Sequence, residues 1–179
     1  MEGELEDDAR QLAAIRCDAE RLIQDLTEQQ LTRCASPGTW SIADCLNHLV
    51  VTGNHSLSNI RTAIVDARAR GLVGRGPFRH GVIGNWLVRS MDANSKIKFR
   101  SPAVYRPSPV VSAAETIRAF FRLQDELRRV LEEADGIDLA RVKVANPVTR
   151  WLRLSLGQEL AFIAAHERRH LLQAARAIG

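Results

Sequence analysis

Four long segments of this chain repeat apolar or small residues at intervals of three and four, the period that lays one stripe along one face of an α-helix. The first carries Leu5, Leu12, Ile15, Ala19, Leu22 and Leu26, predicting a helix over about 5–30 that ends before Pro37 and Gly38. The second opens on Ser41, a capping residue with Asp44 three positions on, and runs through Ile42, Leu46, Leu49, Val50, Leu57, Ile60 and Ile64 to about Arg70. Trp40 is placed to staple onto Cys45. In the third, Ser112 and Glu115 suggest a capping box, and Ala113, Ile117, Phe120, Gln124, Leu127, Leu131 and Ala134 extend the stripe over about 111–134. The fourth begins near Ser155 and places Leu156, Leu160, Ile163, Glu167, His170 and Ala174 on one face almost to the end of the chain. No segment alternates apolar and polar residues between turn signals, so no sheet is expected.

Helices with one apolar stripe bury it against one another, and the connections suggest how. The short link between the first two favours an antiparallel pair, whereas the connection over 71–110 is long enough to cross a bundle and leave the second and third parallel. The expected fold is all-α: a four-helix bundle of up-down-down-up type with a long crossover between helices 2 and 3. Inside that crossover GLVGRGPFRHG reads as irregular, and VIGNWLVRSMD as a short extra helix. At 179 residues the chain suits one domain spanning 1–179.

HERRH, residues 166–170, matches the two-histidine helical signature of zinc peptidases. His166 and His170 are one turn apart on one helix face, close enough to bind one ion. A peptidase takes its third ligand downstream, and LLQAARAIG after His170 offers no His, Asp, Glu or Cys. Any third ligand must therefore come from upstream. His48 is the leading candidate: it lies seven residues into helix 2, and His170 about seven from the end of an antiparallel helix 4, so both sit roughly 10 Å from one end of the bundle. His55, two turns on, is a weaker competitor. His80, in the irregular crossover, is expected to face solvent. Cys45 suits a buried packing thiol better than a ligand. Set against all this is the plainer possibility that HERRH is a solvated, salt-bridged face.

Composition removes several function classes. No run of about 18 apolar residues is present to span a membrane. The acidic opening MEGELEDDAR is unlike a secretory signal, and three scattered cysteines (Cys17, Cys34, Cys45) suit free thiols, so a cytoplasmic protein is expected. The net charge is +4, but all basic residues except Lys96, Lys98 and Lys143 are arginines, interleaved with acids and without a focused patch, so no nucleic-acid partner is expected.

TWSIADCLNHLV, followed far downstream by ELAFIAAHERRHLLQA, resembles the DinB and YfiT-like superfamily of metal-binding four-helix bundles. The resemblance implies that His48, His166 and His170 hold a divalent metal ion. Three imidazoles suit zinc, nickel, iron or copper, with zinc or nickel expected. It further implies a small-molecule substrate and either a hydrolase or a transferase using a low-molecular-weight thiol, with a homodimer as a family-level expectation. The alternative is a metal-binding or stress-related module without turnover. Glu167 is the general-base candidate by analogy with zinc peptidases, though about 100° round the helix from His166 it also suits a core-edge or salt-bridged position. Asp44 and Glu159 are candidates to hold the second nitrogen of a ligating histidine. Trp86, Arg100, Tyr105 and Arg106 in the crossover would wall a substrate pocket, or simply pack at the surface.

Overall fold

A computed structural model of the chain describes residues 3–92, 95, 97, 105, 112–145 and 153–177. Its helices are α1 (Glu4–Ile23), α2 (Glu28–Thr32), α3 (Ile42–Ala69), α4 (Val82–Ser90), α5 (Ala113–Glu133) and α6 (Leu156–Ala175). The single first helix expected over 5–30 is broken in two. Thr27 adopts an extended conformation, and its hydroxyl and the Gln30 side chain satisfy each other's backbone amides. That capping box starts a new helix in place of continuing the old one.

Capping chemistry sets most other helix starts too. Ser41 and Asp44 form the expected box at α3, and Ser155 and Gln158 form another at α6. At α5 the expected box is only half made: Ser112 accepts from the Glu115 amide at 3.3 Å. The free amide of Ala113 is taken by the Glu28 carboxylate of α2 at 2.6 Å, where a negative charge also suits the helix dipole. The short helix expected in the crossover is α4.

Contacts between the long helices fix their directions. Arg61 meets Glu126 and Arg68 meets the Glu133 carbonyl, so α3 and α5 run parallel. His48 faces His166 and Ser56 bonds Glu159, so α3 and α6 run antiparallel. The first turns of α1 and α6 line one cavity together, so these two run parallel. The bundle is up-down-down-up, with α3 against α5 and α6, and α1 against α6 and α5. Its core includes Ile15, Leu46, Leu49, Ile60, Phe120, Leu127 and Leu131, all fully buried. Each such side chain stabilises the fold by about 1.5–3 kcal/mol relative to exposure.

Contrary to the expectation of no sheet, Lys143 and Val144 (β1) pair antiparallel with Ser155 and Leu154 of β2 (Leu154–Ser155). The ribbon continues as the amides of Leu156 and Gly157 donate to the carbonyls of Val142 and Leu139, which ties the return segment to the start of α6. Two-residue strands are too short for alternation to show in sequence. Among the described residues no helix is long and apolar enough to cross a membrane.

Candidate metal centre

His48 lies in the second turn of α3, and His166 and His170 lie in the second half of α6; the antiparallel register brings all three to one level. One nitrogen from each ring lies within 4.8 Å of the others, and among the described residues no other group of three or more His, Cys, Asp or Glu side chains converges in this way. Nε2 of His48 and Nε2 of His166 are 3.3 Å apart. The ring centroids of His48 and His166 stand 4.5 and 4.6 Å from that of His170.

The rings are held from outside. The Tyr105 carbonyl, an acceptor only, takes the Nδ1 proton of His48 at 2.5 Å, which leaves Nε2 bare and aimed at the other rings. Trp40 stacks on His170 at 5.7 Å between centroids and tilts over His48 at 4.9 Å. This is the observed setting of the side chain expected to staple onto Cys45. Phe162, one turn before His166, stacks nearly parallel to it.

Electrostatics keep the rings neutral. Burial lowers the pKa of His48, against the opposing bond to Tyr105. Burial, then the two neighbouring rings, takes His166 well below its ordinary value. Burial and His48 push His170 down to about 3. At neutral pH all three therefore offer lone pairs. Two imidazole nitrogens bound to one tetrahedral ion at about 2.0–2.1 Å would stand ~3.3 Å apart, which the His48–His166 spacing matches. Nδ1 of His170 is buried, and among the described residues no hydrogen bond of ordinary geometry reaches it, although the Gln173 side chain stands near enough to oppose the lowering of this ring's pKa. The residues present fit a divalent ion.

The other candidate residues fall elsewhere. Glu167 is buried on α6 and accepts two bonds from Gln124 Nε2, at 2.9 and 3.1 Å, across the bundle from α5. Among the described residues it has no salt bridge and stands outside the histidine cluster, and burial pushes its carboxyl up to about 8. Asp44 is engaged by the backbone amide and hydroxyl of Ser41, and Glu159 by Ser56, so the group on the second nitrogen of His48 is the Tyr105 carbonyl in place of either carboxylate. His55 is exposed, its ring against Tyr105. Cys45 is fully buried, and burial pushes its thiol up to about 12, so it stays protonated. Trp86 is 57% exposed on α4. Arg100 and Arg106 lie outside the described residues. Trp40, against two of the rings, and Gln124, bonded to Glu167, read from the sequence only as packing residues.

His80 corrects the expectation of a solvent-facing ring. Its side chain is 11% exposed, and it sits between the Ser155 hydroxyl and the Glu4 carboxylate, 2.7 Å from each. Ser, His and Glu in a line resemble a nucleophilic relay. Here the Ser155 residue is fully buried and its oxygen caps α6, so the line is a structural pin.

No curated protein matches the sequence. Among solved structures the chain is similar to YfiT from Bacillus subtilis, described as a probable metal-dependent hydrolase with an unusual four-helix bundle topology. The identity is 12%, the match covers 97% of this chain and 85% of that one, and the TM-score is 0.63, a likeness of fold. The family model of the DinB superfamily matches residues 11–174, nearly the whole bundle with all three histidines, and the chain belongs to that superfamily.

Proposed function

We propose that His48, His166 and His170 bind a divalent metal ion, zinc or nickel, and that the protein is a metal-dependent enzyme acting on a small molecule. The observation that carries this is the convergence of three neutral imidazoles from two antiparallel helices on one point. At 3.3 Å the His48 and His166 nitrogens either share a proton or both face a cation; the third ring, with a nitrogen within 4.8 Å of both, favours the cation. The description of YfiT as a probable metal-dependent hydrolase supports the same reading.

When bound, such an ion supplies a Lewis acid that turns water, or a low-molecular-weight thiol, into a nucleophile at neutral pH. The chain's own groups supply the rest. Tyr105 fixes the tautomer of His48, while Trp40 and Phe162 hold the rings and keep water from their faces. Three neutral ligands leave the charge of a divalent ion undiminished. Glu167, held by Gln124 and lacking a place in the cluster, serves as a positioning residue for the α6 face that bears His166 and His170.

The test is metal analysis of the purified chain, followed by assay of the metal-loaded protein against activated esters and against thiols paired with electrophilic acceptors. One ion per chain is expected, with ester hydrolysis or thiol transfer that disappears in His48→Ala. Stoichiometric metal persisting in both His48→Ala and His166→Ala/His170→Ala would sink the assignment. Metal without any turnover would leave a binding module.

A further inference from the structure

A cavity lies away from the histidines, between the first turns of α1 and α6 and the helix α4, with a volume of about 280 Å³. That is near the small end of the range for ligand pockets, about 300–1,000 Å³. Its walls include Glu4, Asp7 and Asp8 from α1, His80 from the crossover, Arg89 from α4 and Ala161 from α6. On α6, Gly157 precedes His166 by nine residues, roughly 14 Å of axial rise.

Two of the three acids are already compensated. Asp7 pairs with Arg10, and Glu4 accepts from Nε2 of His80. Asp8 is different: it is 5% exposed, lines the cavity, and among the described residues has no hydrogen-bond or ion-pair partner. Its burial, then the charges of Glu4 and Asp7, push its carboxyl up to about 7. An uncompensated carboxylate in such a place is costly, and a cationic donor removes the cost through a charge-assisted hydrogen bond. A metal ion is a poor fit, because these acids do not converge as the three histidines do. The space suits an organic cation of several heavy atoms, with Ala161 and Val88 as apolar wall.

We infer that this cavity is a binding site for a small organic ligand bearing a protonated amine, which Asp8 receives.

The experiment is calorimetric titration of the purified full chain with 1,5-diaminopentane, and with 1,5-pentanediol as its uncharged counterpart. The expected result is saturable binding of one diamine per chain, none of the diol, and at least tenfold weaker diamine binding in Asp8→Asn. Ala161→Leu, which fills the cavity, should abolish binding while circular dichroism and metal content stay unchanged. An amine can also ligate a metal, so His48→Ala serves as the control and should bind the diamine as the parent does. Loss of binding in His48→Ala, equal binding of diol and diamine, no saturable binding at all, or full affinity in Asp8→Asn would each overturn the inference, whatever the fate of the metal reading.

Discussion

Asp8 and Glu167 are both carboxyl groups taken out of water, and they differ in what receives them. Glu167 has the amide of Gln124 donating to both oxygens, whereas Asp8 faces the cavity with two like charges beside it. Burial raises Asp8 from 3.8 to about 7, so the folded state holds its proton more tightly than the unfolded chain does. The sign follows from linkage: stability from this group is fully present below pH 3.8 and is lost as pH rises through about 7. The total loss is at most about 4 kcal/mol. Asp8→Asn removes the titration, so its melting temperature should exceed that of the parent at pH 8 and approach it near pH 4. Parallel curves across that range would show that Asp8 is solvated or paired. The histidines were legible at this scale because the four-residue spacing of His166 and His170 is itself geometric. The Tyr105 carbonyl that orients His48 was not, since a backbone oxygen leaves no mark in residue identity.

At the scale of elements, the crossover is pinned to α6 by polar bonds and two close approaches. Gln158 Nε2 donates to the Gly81 carbonyl at 2.7 Å and to Asn85 at 2.8 Å, with its amide lying flat against Gly84. His80 lies against Gly157, where an added Cβ would stand 2.7 Å from the imidazole Cε1 and 3.1 Å from Glu4 Oε2. Gly157→Ala should therefore destabilise the protein by about 1–3 kcal/mol through overpacking, against the gain of up to ~1 kcal/mol that alanine brings to an ordinary helix interior. Urea denaturation reads the balance, and a stabilised variant would mean that His80 swings away freely. Such contacts explain where sequence reading stopped. The four stripes and the Ser41 and Ser155 caps are local, and they set the bundle and its direction. His80 reads as solvent-facing because it lies in the irregular, glycine-rich crossover, but its partners, Ser155 and Glu4, are distant in sequence. The break at Thr27 was written in Thr27 and Gln30, yet an apolar stripe running through it masked the restart.

For the whole molecule, the question is whether the metal proposed at the histidines holds the bundle together. Its ligands would join α3 to α6, two helices already packed along their length and buried in a common core with Leu46, Leu49, Leu160 and Ile163. That core does not depend on the three rings, so the apo protein should stay folded. An ion present at a thousandfold over its dissociation constant adds about 4 kcal/mol to stability. In a chain of this size each kcal/mol shifts the melting temperature by roughly 2–4 °C. Chelation should accordingly lower it by about 8–16 °C, leave the helical circular dichroism at 25 °C intact, and abolish turnover. In His166→Ala/His170→Ala, melting should be the same with and without chelator. Unfolding of the parent on chelation at 25 °C would instead assign the ion a structural task, because the free energy of binding would then be needed to form the bundle at all.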